Sequence, residues 1–288
     1  MKQRPEARAA AALLSSAVIR SVISDSEPHA KADAAVARLN RFGMTAGVTS
    51  MRSLVWRCDR YLRQHYRSDH VYRTAVLRDV SGQGSVVLPE FRAGESLADM
   101  LCVSDVAHAI EIKSELDGIG RLRKQLDDYR LIAPRVTVVG SRRLIDRISD
   151  DPELRMVGLA TLTDPGDGLV HLRVARDDPT RLDPVTMFRS LRRAEYLSAL
   201  SNIGVTIPAL PNTAVFSFAK QAVSTVDSAR FNREFVRALS TRAPKLTVRT
   251  FGRAPLPLRP ALLRLNPSGE QVRRLHTWLE TEIPHVHA

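Results

Sequence analysis

Three side chains in the middle of the chain have types and spacing suited to work on a phosphodiester. Asp99 lies in the apolar run 97–103, and Glu111 and Lys113 end the next run, 106–113, with one isoleucine between them. Read as strands, these runs put Asp99 on the face of Leu97 and Leu101. Glu111 and Lys113 then share the face opposite Ile110 and Ile112. A carboxylate on an otherwise apolar face is costly unless it is paired or ligates a cation. Asp99 and Glu111 supply the hard oxygens that Mg²⁺ or Mn²⁺ prefer, and the Ile112 carbonyl is a candidate further ligand. An ammonium beside them, Lys113, suits the orienting of a water or the offsetting of charge in a phosphorane-like transition state. Glu90, near the end of the run 85–91, is a candidate third acidic ligand. The plainer alternative for Glu111 and Lys113 is an ion pair at a sheet edge.

The elements that must position these residues follow from periodicity and turn signals. Strands at 85–91, 97–103 and 106–113 are joined by short turns, so they form antiparallel hairpins. A helix over 118–131 then leads to a buried strand at 135–140, and such a crossover makes the pairing parallel. The sheet is therefore mixed. Asp117, Arg121, Gln125 and Tyr129 recur at four-residue intervals and form one slowly drifting face of that helix. A short helix at 144–148 precedes strands 156–162 and 169–174, which flank Asp164-Pro165-Gly166-Asp167-Gly168 and extend the sheet at its edge.

Helices are expected at 5–24, 29–42, 49–66 and 70–80, broken by Ser26-Glu27-Pro28 and ended by Ser81-Gly82-Gln83-Gly84. Further helices are expected at 184–201, 227–240 and 268–283, the last opened by a capping box of Ser268 and Gln271. Residues 242–267 read as an irregular basic segment. The resulting division is a basic helical region (1–69), an α/β core (70–178) and a basic, mainly helical region (179–288).

Asp99, Glu111-x-Lys113 and Gln125-x-x-x-Tyr129 resemble the PD-(D/E)XK nuclease superfamily, in the version with an added Gln-x-x-x-Tyr helix. Residues 85–140 more closely resemble a bacterial sce-type family of largely uncharacterised proteins. The resemblance implies a restriction-endonuclease-like core with a mixed central sheet. It implies a metal-dependent nuclease, most readily an endonuclease on DNA, with Mg²⁺ or Mn²⁺ as cofactor. Asp99, Glu111 and Glu90 would be metal ligands, and these three with Lys113 the catalytic set. Asp117, Arg121, Gln125 and Tyr129 would bind substrate. Departures are visible: Glu90 sits two residues closer to Gly94 than the family pattern, Leu97 replaces a common arginine, and Ala98 replaces the superfamily's proline.

Composition agrees with a polyanion partner. Formal net charge is +12, and residues 1–80, 81–165 and 166–288 carry +7, −3 and +8. An acidic middle between basic arms suits a cation site between phosphate-holding surfaces. Two cysteines make neither a disulfide framework nor a zinc site and point to a reducing cytoplasm. No run has the length of a membrane span. The Ala-rich start reads as an amphipathic helix rather than a targeting segment. Trp56, Tyr61 and Tyr66 lie among five arginines, but their spacing winds around a helix, so they read as half-buried aromatics beside a basic face. His108 reads as a packing residue, and His285 and His287 as a frayed tail. A homodimer or an unidentified protein partner is compatible with this sequence. The rivals to an enzyme are a catalytically inactive nuclease-fold module that binds nucleic acid or regulates, and an assembly protein whose basic arms hold a protein.

Overall fold

In a computed structural model, which describes residues 4–24, 29–80, 85–115, 117–242 and 254–283, six strands form one sheet. They are β1 (Val86–Ala93), β2 (Ser96–Val103), β3 (Ala107–Lys113), β4 (Arg135–Gly140), β5 (Gly158–Leu162) and β6 (Leu169–Arg173), and they lie side by side in chain order. β1, β2 and β3 are an antiparallel meander, because their connections are too short for anything else. β4 pairs parallel to β3, with Glu111 opposite Val138 and Lys113 opposite Gly140, and β5 pairs parallel to β4. The architecture is α/β with a mixed sheet.

The helices are α1 (Pro5–Leu13), α2 (Ser16–Ile23), α3 (Ala30–Asn40), α4 (Met51–His65), α5 (Asp69–Val80), α6 (Leu122–Arg130) and α7 (Arg142–Ile148). They continue with α8 (Pro184–Ser190), α9 (Arg193–Asn202), α10 (Asn212–Val223), α11 (Ser228–Ser240), α12 (Arg259–Leu265) and α13 (Gly269–Leu279). The chain divides into two compact units. One comprises residues 1–79, 162–169 and 244–288, and the other 80–161 and 170–243.

In the second unit, alternation sends Leu101 and Val103 of β2, Ala107 and Ala109 of β3, and Val136 and Val138 of β4 into one core. Leu122, Leu126 and Tyr129 of α6 join them, with Phe188, Phe231 and Phe235 from the later helices. Asp99, Glu111 and Lys113 belong to this same face by parity, so α6 lies over the candidate site. In the first unit, α1, α2 and α3 pack together, and α12 and α13 return to pack on α2. Arg52 of α4 reaches Glu280 at 2.6 Å, and the Met51 N–H donates to the Thr281 carbonyl.

Several helical expectations need correction. The span 5–24 is two helices, because Ser15 caps the second by accepting from the Val18 N–H at 3.3 Å. The span 184–201 is also two. Leu191 turns extended, and the Glu195 side chain accepts from the Arg192 N–H at 2.6 Å to open the second helix. The helix expected from 118 begins only at Leu122, since Gly118 and Gly120 favour turn over helix. Helix α10 went unread. Part of the segment read as irregular, 242–267, contains α12. Ser268 and Gln271 do form the expected capping box. The turn at 81–84, the break at 26–28 and the histidines at 285 and 287 lie outside the described residues.

Candidate active site

The site is built where a ladder stops. β2 and β3 pair from Val103↔Ala107 to Met100↔Ile110 and no further. One step on, the register sets Asp99 opposite Glu111. There the Ile112 N–H, deprived of a β2 carbonyl, donates to Asp99 Oδ2 at 2.8 Å. The register thus sets two carboxylate residues opposite each other where the β2–β3 ladder ends.

Glu111 is 2% exposed, so its charge must be met within the protein. Lys113 Nζ lies 2.6 Å from Oε1. The Tyr129 hydroxyl lies 2.6 Å from Oε2, and 2.8 Å from the Leu97 carbonyl. Burial pushes the Tyr129 phenol well above its ordinary value, and the Glu111 and Asp99 charges push the same way. The hydroxyl therefore stays protonated and serves as a donor. Its one proton faces two acceptors, so its oxygen is left to accept, and the Gln125 amide donates to it at 3.4 Å. Gln125 Oε1 is buried with no hydrogen-bond partner among the described residues. That atom is an acceptor available to a water or ligand in the site.

Asp99, Glu111, Lys113, Gln125 and Tyr129 are thereby brought together from two strands and one helix. The other residues expected in the site are placed differently. Asp117 lies outside α6. Its Oδ2 accepts from the Ser114 N–H at 2.8 Å and from the Ser114 hydroxyl at 2.7 Å, fixing the turn after β3. Arg121 is the exposed residue preceding α6. The four-residue face expected to run from Asp117 to Tyr129 is real only for Gln125 and Tyr129. Glu90 lies in β1 between Pro89↔Met100 and Phe91↔Ala98, at the register position opposite Asp99. Its φ of 49° takes it out of the ladder, and it is exposed. Left-handed backbone at a residue other than glycine is sparsely populated, and such strain clusters at functional sites. Among the described residues, no three His, Cys, Asp or Glu side chains group so as to hold a metal ion.

Backbone atoms that residue types could not announce also shape the site: the Leu97 carbonyl and the Ile112 amide. Gly140, opposite Lys113, is a third such feature. A Cβ there would meet the Lys113 carbonyl oxygen at 3.0 Å and Leu144 at 3.2 Å. Only the register of β3 against β4 reveals this last feature.

Set beside known proteins, residues 67–251 match the family model described as bacteriophage P4 protein cII. The chain belongs to that family. The match takes in the whole sheet and α6 to α11, and so every residue of the site. No curated protein matches the chain. Among solved structures, it is similar to the SPO1766 protein of unknown function from Silicibacter pomeroyi. The identity is 18% and the TM-score 0.33, over 48% of this chain and 94% of that one.

Elsewhere in the family member described here, His108 Nε2 pairs with Thr137 Oγ1 at 2.8 Å, a packing role on the opposite sheet face. Trp56 is 37% exposed and Tyr61 lies tilted against His65 with ring centroids 4.6 Å apart, so these aromatics do not form one platform. Cys58 and Cys102 are buried and not joined in a disulfide, and burial pushes the Cys58 thiol up to about 12, leaving it unreactive. Among the described residues, no helix is long and apolar enough to cross a membrane.

Proposed function

We propose that this protein is a divalent-metal-dependent nuclease that hydrolyses phosphodiester bonds in DNA, cutting internally, in the cytoplasm. One observation carries the reading. Two acids, a lysine, a glutamine and a tyrosine, far apart in type and partly in sequence, meet where the β2–β3 ladder ends. The order α5-β1-β2-β3-α6-β4 is what a PD-(D/E)XK restriction-endonuclease-like core would need to bring these residues together.

The donor set fits Mg²⁺ or Mn²⁺: the carboxylates of Asp99 and Glu111 are hard oxygens, and the buried Gln125 Oε1, without a partner among the described residues, can accept from a water. Asp99 and Glu111 would hold the ion. When bound, it would supply Lewis-acid polarisation of a phosphoryl oxygen and a more acidic water. The residues do the rest. Tyr129 fixes the rotamer of Glu111 by tying Oε2 to the sheet. Lys113 brings positive charge to the place where a pentavalent phosphorus would gather negative charge. Gln125 holds Tyr129 from one side and offers its carbonyl oxygen on the other. Arg121, exposed beside α6, suits a phosphate of the duplex. Asp117 supports the site by fixing the turn that carries Lys113.

A second reading is favoured by one specific observation. Both Glu111 oxygens already have partners within the protein, as in an inactive nuclease fold that only binds nucleic acid. Cleavage of supercoiled and linear DNA with Mg²⁺, Mn²⁺ or EDTA, wild type beside Asp99→Ala, separates the two. Metal-dependent cutting that the substitution removes is the expected result. Metal-independent, salt-sensitive DNA binding without cutting would install the second reading.

A further inference from the structure

Lys113 and a metal ion cannot share Glu111 in its present pose. Tyr129 engages Oε2, and through the Leu97 carbonyl that engagement is anchored to the backbone of β2. Glu111 is 2% exposed, so its carboxylate cannot swing into solvent to find another geometry. The oxygen left to a ligand is Oε1, and Lys113 Nζ sits on it at 2.6 Å. A divalent ion on the same oxygen would stand at about 2.1 Å from it, so two unlike carriers of positive charge would crowd one atom inside a largely dehydrated site.

We infer that Lys113 is the internal counter-ion of Glu111 in the metal-free protein, and that it must release Oε1 for that oxygen to ligate a divalent cation. The inference rests on the metal-site reading above. Its consequence is an exchange of partners. In the metal-free state the ammonium spares Glu111 an uncompensated buried charge. Once released, the same ammonium, 14% exposed on its short tether, is free to turn towards a phosphate. The site therefore admits a strong positive charge at the acids or on the substrate, but not at both from the same lysine.

The decisive measurement is Mn²⁺ affinity by titration calorimetry for wild type, Lys113→Met and Lys124→Met. Lys124 is an exposed lysine already paired with Glu95 at 2.7 Å, and it controls for the loss of one positive charge in general. We expect Lys113→Met to bind Mn²⁺ at least tenfold tighter than wild type, with Lys124→Met within about twofold. Equal or weaker binding by a folded Lys113→Met overturns the inference, as does equal tightening in Lys124→Met. Wild type that binds Mn²⁺ with no gain in Lys113→Met defeats this inference alone. Wild type that binds no Mn²⁺ and cuts no DNA defeats it together with the nuclease reading. If Lys113→Met proves unstable, wild-type protein still decides. Mass spectrometry of Lys113 acetylation should show a faster reaction with saturating Mn²⁺, and an unchanged or slower one overturns the exchange.

Discussion

The Tyr129 hydroxyl stands 2.6 Å from Glu111 Oε2, across 18 residues of chain, and ties helix α6 to the acid of strand β3. The phenol is fully buried and also reaches the Leu97 carbonyl of β2 at 2.8 Å. Tyr129→Phe keeps the ring and deletes only these bonds. It leaves a buried carboxylate oxygen short of a donor, a loss of about 1–3 kcal/mol. Urea unfolding should show that loss, and cleavage should fall further than stability explains because Glu111 gains rotamer freedom. A variant as stable and as active as wild type would show that the hydroxyl positions nothing.

Two glycines separate support of the site from support of the sheet. Gly140 lies beside Lys113, and an added Cβ would press on the Lys113 carbonyl oxygen at 3.0 Å and Leu144 at 3.2 Å. Gly158 lies in β5, and an added Cβ would come within 2.5 Å of Thr137 Oγ1 and 2.9 Å of the Ala175 nitrogen. The second is the worse clash, because backbone cannot move aside cheaply. Gly158→Ala should cost about 1–3 kcal/mol as an overpacked core does, with activity per folded molecule kept. Gly140→Ala should cost less stability and more activity. Thermal melts beside cleavage rates check the pair, and the reverse ranking would refute it.

The sheet and most of the site were legible in the sequence because parity carries both. Alternation in 97–113 fixes which residues share a face, and short turns force the hairpins. Asp99, Glu111 and Lys113 fall together from that alone. Gln125 and Tyr129 follow from four-residue spacing, but Asp117 and Arg121 do not, because Gly118 and Gly120 withhold the first turns of the expected helix. The backbone at Glu90 was illegible for a different reason. A single left-handed residue turns it out of the ladder, and no neighbouring glycine at its own position announces that. The α-helical parts were less legible. Pairs such as α1 and α2 are split by one serine cap, and α10 exposes Phe216 on a mixed face that hides its period. The return of α12 and α13 to α2 is a contact between chain ends that local periodicity cannot express.

Arg242 and Glu195 form the best-buried ion pair of the later helices, with side chains 11% and 12% exposed. Both guanidinium arms meet the carboxylate. Arg242 also donates to the Ser190 carbonyl at 3.1 Å and lies 5.5 Å over the Phe91 ring. Burial alone would raise the Glu195 carboxyl, but hydrogen bonds from Arg242 and the Arg192 backbone more than offset it and hold the group below its ordinary 4.5. The folded state therefore binds that proton less readily than the unfolded chain, so the stabilisation is present above about pH 4.5 and is lost as pH falls through the lower folded value. Arg242→Leu should cost about 3 kcal/mol near neutrality, because a half-desolvated carboxylate is left without its partner. The penalty should shrink towards pH 3. Chemical denaturation at both pH values checks this, and a penalty independent of pH would assign it to lost packing on Phe91 instead.

Asp59 presents the opposite sign. It is 2% exposed in α4, its Oδ2 accepts from Arg63 Nε at 2.9 Å, and its Oδ1 has no partner among the described residues. Burial raises the carboxyl above its ordinary 3.8; the charges of Arg63 and Arg78 only partly counter this, and Asp167 adds to it. The folded state then holds the proton more tightly than the unfolded chain does. Asp59 accordingly costs stability progressively as pH rises from about 3.8 through its raised folded value, and that cost is complete at neutrality if the folded value lies below it. Asp59→Asn keeps the shape and removes the charge. Relative to wild type, the asparagine variant should gain stability as pH rises from about 4 to 7, in urea unfolding at steps between. Its DNA cleavage should be unchanged at every pH where both are folded. A stability difference that stays constant with pH would mean that Arg63 compensates the buried charge in full, and that the lone Oδ1 is harmless.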